Sequence, residues 1–220
     1  MRDVVIFGAG QVAETICWYL AEEGGRNVVA FTVDAPYRTA DEVLGRPVVD
    51  FETLTKTHPP DRFEMFVAIS YLGINRVRAA KAAEAEAKGY VLTSHLSPRA
   101  MAWPGLELQP NTIVMEANVI QPFVSIGRNV ILWSGNHVGH HTTIEDDCFI
   151  ASHAVISGHC RIGQGTFIGV NATLRDNITI GPRNVIGAGA LILADTPENG
   201  VFMGQATEMS RVPSNRLRGI

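Results

Sequence analysis

The chain has 220 residues, with 18 Lys and Arg against 22 Asp and Glu and a formal net charge of −4. No basic run could neutralise phosphates by counterion release, which argues against nucleic acid as a partner. No stretch approaches the ~20 apolar residues that span a bilayer, and the opening VVIFGAG is too short for a secretory signal, so neither a membrane nor export is expected.

Residues 4–8 read as a short buried strand, and GAGQVAETICWYLAEEGG follows with Val12, Ala13, Ile16, Cys17 and Leu20 at helical spacing. NVVAFTVD predicts a second strand ending at Asp34, FEMFVAIS another, and NRVRAAKAAEAEAKG an Ala- and Glu-rich helix closed by Gly89. This alternation predicts an α/β unit over residues 1–95, a small Rossmann-like sheet covered by helices. Gly8-Ala9-Gly10-Gln11-Val12-Ala13 fits G-x-G-x-x-A between strand and helix, where backbone amides and a helix N-terminus can meet a phosphate. Asp34 could accept hydrogen bonds from a ribose or a base edge. A nicotinamide enzyme, a nucleotide-sugar site and a turn kept only for packing all fit. Yet so short a unit holds one mononucleotide half and no dehydrogenase domain.

From about residue 104 the pattern changes to a period of six. Every sixth residue from Leu108 through Val114, Ile120, Ile126 and on to Ile192 is Ile, Leu or Val, fifteen positions in succession. Small or β-branched residues such as Thr112, Thr142, Cys148, Ala154 and Cys160 stand two places earlier. Gly127, Gly139, Gly163, Gly169, Gly181 and Gly187 directly follow aliphatic positions. The spacing predicts a β-solenoid over residues 96–220 whose coils have three short sides, eighteen residues per coil, with aliphatics inside and glycine relieving the turns. Cys148 and Cys160 are then packing residues. With Cys17 they make an odd set without C-x-x-C spacing, so no disulfide framework or zinc knuckle is expected and a reducing cytoplasm fits. The outward apolar residues Trp133, Phe149, Val155 and Phe167 would be wet in a monomer, which predicts a closed oligomer.

Residues eighteen apart share a corner of successive coils, about 4.8 Å apart as in any parallel sheet. His141 and His159 therefore stack, with Phe123 and Asn177 extending the column, and His140 lies beside them between Pro122 and Gly158. Two imidazoles so close cannot both carry charge cheaply. His137 falls mid-side. A three-histidine metal centre is disfavoured, because adjacent residues such as His140 and His141 rarely converge on one ion. Amides around Gly158 are candidate donors to an oxyanion.

VVIFGAGQVAE, VAISYLGINRVR, GHHTTIEDD and GAGALILADTPENGVFMGQAT together resemble the left-handed parallel β-helix sugar acyltransferases, of the sialic acid O-acetyltransferase and sugar-nucleotide N-acetyltransferase type. The resemblance spans nearly the whole chain. It implies acetyl transfer from acetyl-CoA, bound between the helices of a homotrimer, to a nucleotide-linked sugar in surface polysaccharide synthesis. No resident metal is implied; a γ-class carbonic anhydrase or a non-catalytic repeat protein are the rivals. His140 then stands as the general base, with His141 where a carboxylate often follows and Phe149 where many members carry a second histidine. Glu145 and Asp146 are further candidates to orient His140. With the resemblance, Gly8, Gly10, Gln11 and Asp34 of the glycine turn and strand end become candidates to hold the sugar nucleotide, together with Ser70, Tyr71 and Asn75 of the segment that stands where the family usually has a Gly-Asp-Asn run. Gly158, Val170, Ala188 and Gly204 would hold coenzyme A.

Overall fold

The computed structural model describes residues 2–216. A six-stranded sheet is built from β1 (Asp3–Phe7), β2 (Val28–Val33), β3 (Glu42–Val43), β4 (Arg46–Asp50), β5 (Phe63–Val67) and β6 (Val91–Leu92), in the order β3-β4-β2-β1-β5-β6. All neighbours are parallel except β3 and β4. The continuous apolar run of β1 suits a strand covered on both faces. Val5 and Phe7 pack with Ala82 and Ala85 of α2 (Arg76–Ala87), whereas Val4 and Ile6 pack with Ala13 and Ile16 of α1 (Gln11–Trp18). α1 continues as a π-helical turn over Tyr19–Glu23. The hairpin of β3 and β4 escapes the sequence reading because its turn places Leu44 as well as Gly45 at positive φ, 50° and 71°, a conformation that a leucine does not advertise.

The remainder is a left-handed parallel β-helix. Two-residue strands stack into three faces. The first contains Ile131–Leu132 and Phe149–Ile150, the second His137–Val138 and Val155–Ile156, the third Thr143–Ile144 and Arg161–Ile162. Pairs such as Val119↔His137 confirm the eighteen-residue coil. The periodic aliphatics from Val114 to Ile192 are all buried in one core, together with Cys148 and Cys160. Burial pushes the Cys148 thiol up to about 12, as expected of a packing residue.

The corners differ from expectation. The repeated glycines do not supply the turn. Positive φ falls instead three residues before each inward aliphatic, at Asn111, Ala117, Phe123, Asn129, Gly135, His141, Asp147, His153, His159 and onward. Gly127, Gly139, Gly163 and Gly169 are there for close approach: a Cβ at Gly139 would lie 2.4 Å from the Gly158 nitrogen of the next coil. Asparagine tolerates the left-handed conformation and adds a ladder, with Asn111 donating to Asn129 and Asn129 to Asp147, each at 2.7 Å.

The outward apolar set also needs correction. Phe149 is buried, and Trp133 and Phe167 are partly so, because the first face lies under α1 and β1 in one shared core with Ile113, Met115 and Ile131. Val155 alone of the four is exposed. The joint is pinned by Arg78, fully buried, whose guanidinium donates to the carbonyls of Ser70 (2.8 Å), Asn129 (3.1 Å), Asp147 (2.9 Å) and Cys148 (3.0 Å). Burial draws this group down to about 10, with Asp147 opposing the shift, so it stays charged at neutral pH. Removing it strands these four carbonyls, of which those of Asn129 and Cys148 are fully buried, and the buried Asn75 side-chain oxygen. Arg78→Ala should lower the unfolding free energy by roughly 3–5 kcal/mol in urea denaturation, and Arg78→Lys should recover only part, because an ammonium cannot span the same fork.

Candidate active site

The corner joining the second and third faces carries three imidazoles. His141 and His159 adopt φ of 58° and 57°, which turns both side chains outward on one edge. Their rings stack with centroids 4.8 Å apart and 7° between planes, and Phe123 caps the stack 4.7 Å below His141. His140 stands edge-on, at 87° to His159 with centroids 4.9 Å apart. Its backbone N–H donates to Gln121 Oε1 at 2.8 Å, a contact the sequence reading missed because Gln121 carries no motif.

His140 occupies a niche made by an absent side chain. A Cβ on Gly158 would fall 2.9 Å from both Cε1 and Nε2 of the imidazole, so Nε2 overhangs the Gly158 backbone. Nδ1 of His140 lies 3.1 Å from Nδ1 of His141. One nitrogen must carry the proton; when it is His140, His141 accepts and the lone pair of His140 Nε2 is left free. The His141 imidazole thereby orients the His140 ring. Glu145 and Asp146 do not reach this corner. Glu145 pairs with Arg161, and Asp146 accepts from the Arg128 amide at 2.9 Å. His137 is mid-strand and His153 sits on another edge, against Gly135.

The residues expected at a sugar nucleotide divide into three groups. Gly8, at φ 119°, leaves no room for a Cβ, which would lie 2.9 Å from the Ala68 carbonyl oxygen, so it is held by packing. Gly10, the N-cap of α1, has open space where a Cβ would be, and Gln11 beside it is exposed. Asp34 is already engaged by Lys81 at 2.7 Å through one carboxylate oxygen. Ser70 and Tyr71 line a cavity of about 360 Å³ between the sheet unit and the first face, with Val12, Trp133, Phe149 and Phe167. Tyr71 packs on Phe167 at 4.8 Å and on Phe149 at 5.2 Å. Asn75 is buried, donating to the carbonyls of Gly165 and Thr166 and accepting from Arg78, so its polar atoms serve the joint rather than a ligand.

The expected coenzyme A residues separate likewise. Gly158 lies under His140, whereas Val170 and Ala188 line the same cavity as Tyr71. Gly204 lies against the Ala188 carbonyl with no space for a side chain. The histidine corner is the edge opposite the first face, on which the glycine turn and this cavity lie.

Residues 123–158 and 159–194 match the bacterial transferase hexapeptide family (six repeats). No curated protein sequence matches the chain. Among solved structures, a histidine-to-asparagine variant of perosamine N-acetyltransferase from Caulobacter crescentus, in complex with CoA and GDP-perosamine, is 29% identical. The alignment covers 93% of this chain and 94% of that one with a TM-score of 0.84. The acetyltransferase domain of PglB from Neisseria gonorrhoeae FA1090 is 28% identical, covering 91% and 96%, with a TM-score of 0.80. WeeI from Acinetobacter baumannii AYE, 18% identical over 93% and 97% with a TM-score of 0.76, shares the fold.

The two glycines of the turn should behave differently. Gly8→Ala should cost about 1–3 kcal/mol through strain and the carbonyl clash, whereas Gly10→Ala should stay within about 0.5 kcal/mol; urea midpoints decide.

Proposed function

Proceeding from the hexapeptide-repeat sugar acyltransferases, whose repeat and architecture this chain carries, we propose that it moves an acetyl group from acetyl-CoA to an amino, or alternatively a hydroxyl, group of a nucleotide-linked sugar. The two neighbours near 30% identity are acetyltransferases, one bound to CoA and GDP-perosamine and acting on nitrogen, which favours the amine. The observation that carries the reading is the His140 imidazole laid over Gly158 on an exposed β-helix edge, with His141 at its Nδ1.

A thioester is already activated, so the acceptor nitrogen attacks its carbonyl carbon directly and no Ser or Cys nucleophile is needed. The carbonyl electrons move to oxygen, where an amide such as that of Gly158 stabilises the tetrahedral oxyanion. His140 Nε2 takes the proton the nitrogen sheds, and the imidazolium that forms is held by His141. Collapse expels the coenzyme A thiolate, which leaves as the thiol with the proton from His140. A mass-spectrometric screen of acetyl-CoA against UDP-, GDP- and dTDP-linked amino sugars tests the reaction; no acetylated product with any of them would leave the non-catalytic repeat protein as the better reading. His140→Asn should cut kcat by 10²- to 10⁴-fold, roughly the contribution of a positioned base, with little change in acetyl-CoA affinity.

The sugar nucleotide is assigned to the unit of residues 1–95, around Gly10, Gln11 and Ser70, and coenzyme A to the β-helix. Because the histidine edge faces away from that unit in the same chain, a neighbouring chain is needed to bring both ligands to one His140. This supports a homotrimer with active sites between subunits. Exposed Val155, Val170, Leu191 and Leu193 are apolar surface for such contacts. No helix among the described residues is long and apolar enough to cross a membrane. We assign the enzyme to the cytoplasm, in surface polysaccharide synthesis, a placement that three free cysteines fit. Light scattering at micromolar concentration should return three times the chain mass; a monomeric mass contradicts the shared site.

A further inference from the structure

The imidazole corner has a second property that acyl transfer does not require. One nitrogen each of His140, His141 and His159 can be chosen so that all three lie within 4.8 Å of one another, and all three side chains are exposed. The sequence argument against convergence assumed that adjacent residues diverge. Here the left-handed φ of 58° at His141 swings its ring back toward His140, and the two Nδ1 atoms face each other at 3.1 Å. Two nitrogens bound at about 2.0–2.1 Å to one ion stand about 2.9 Å apart at a right angle and about 3.4 Å apart at the tetrahedral angle. The observed separation lies between those limits. His159 is held by the stack parallel to His141, so its lone pair points alongside rather than across. A rotation of that exposed ring about its own side-chain torsions is the adjustment needed to make it the third ligand.

We propose that this corner chelates a single borderline transition-metal ion of the Zn²⁺ type through His140, His141 and His159, and that occupancy shuts off acyl transfer. Three neutral imidazoles with one open position suit Zn²⁺, Co²⁺ or Cu²⁺ and not Mg²⁺ or Ca²⁺, which take oxygen ligands. The chelate needs the same neutral imidazoles as the base reaction. Binding at Nδ1 of His140 displaces its hydrogen bond to His141 and leaves the ring's one proton on Nε2, so the nitrogen that should accept the substrate's proton has no lone pair with which to do so. The metal is thus an inhibitor competing for the catalytic group, and a resident cofactor is not required. The inhibitory half rests on His140 being the base; the chelating half rests on geometry alone.

The test uses the full-length protein with ZnCl₂ in calorimetry and Co²⁺ as a visible-absorption probe of tetrahedral nitrogen ligation. One ion per chain is expected. His141→Ala and His159→Ala should each weaken binding by at least about 10-fold, the loss that even outer-shell partners of a metal ligand carry, while His137→Ala should leave it unchanged. In the acetyl-transfer assay, zinc should suppress the wild-type rate and a chelator should restore it, and whatever rate His159→Ala retains should lose its zinc sensitivity. Absence of binding, or binding indifferent to His141→Ala and His159→Ala, overturns the site. A zinc-loaded protein at full rate, with His140→Asn inactive, overturns the inhibition and leaves the base assignment standing. Full activity in His140→Asn removes the base assignment, and the calorimetry still decides the chelate.

Discussion

A buried guanidinium without a buried carboxylate is the interaction on which the two halves of this molecule depend. Arg78 gives its donors to backbone carbonyls from three separate places: Ser70 in the loop after β5, Asn129 in one coil, and Asp147 and Cys148 in the next. Carbonyl dipoles thus replace the counter-ion that a buried charge ordinarily demands. A planar fork can reach all of them at once, and a lysine cannot. The consequence runs outward: Arg78 holds Asn75, Asn75 holds the Gly165 corner, and the loop carrying Ser70 and Tyr71 is fixed over Phe149 and Phe167. Gly73, Ile74 and Asn75 all take positive φ within that loop, at 63°, 55° and 63°. A β-branched residue does so only where the surroundings impose it. The cavity beside the glycine turn is therefore shaped by a residue that does not line it.

The β-helix adds a second constraint, one left-handed residue per six, and the histidine edge is a product of it. Whatever occupies the left-handed position is repeated at the coil rise along an edge. Along one edge that position is filled by Asn111, Asn129 and Asp147, which hydrogen-bond in series; along another it is filled by Phe123, His141 and His159, which stack. The fold does not choose between a hydrogen-bonded ladder and a stack of rings; the side chain does. Gly158 then lets the His140 ring lie beside the column, since any side chain there would meet it.

The period of six made the coil, its eighteen-residue return and the His141–His159 stack legible, because a solenoid repeats one local geometry and register follows from counting. The same counting failed for the glycines, whose role is set by the distance to the next coil rather than by their own torsions, as Gly139 against Gly158 shows. It failed for Trp133, Phe149 and Phe167, whose outward direction was right but whose cover comes from a unit distant in sequence. Arg78 and Asn75 were hidden for a related reason. Within VAISYLGINRVR nothing distinguishes a solvated arginine from a buried one, and only the approach of residues 129 and 147–148 decides which it is. Local periodicity was readable, and long-range burial was not.

With His140 as the base we propose, having His141 rather than a carboxylate at its Nδ1 sets the electrostatics of the corner in a definite direction. An anion behind a base stabilises the imidazolium by charge; a neutral imidazole offers only a hydrogen-bond acceptor, with a second ring stacked on its other side. The positive charge of the proposed proton transfer would then be shared across His140 and His141 rather than neutralised. Within the reaction we propose, an arrangement with no counter-charge behind the imidazolium suits an acceptor that needs little deprotonation before attack. A sugar amine, nucleophilic as its free base, fits that limit; a hydroxyl, which must lose its proton as it attacks, gains more from a carboxylate behind the base, and none reaches this corner among the described residues. Within the proposed reaction the absence of a charged partner behind His140 thus favours nitrogen as the acceptor atom, whatever sugar carries it.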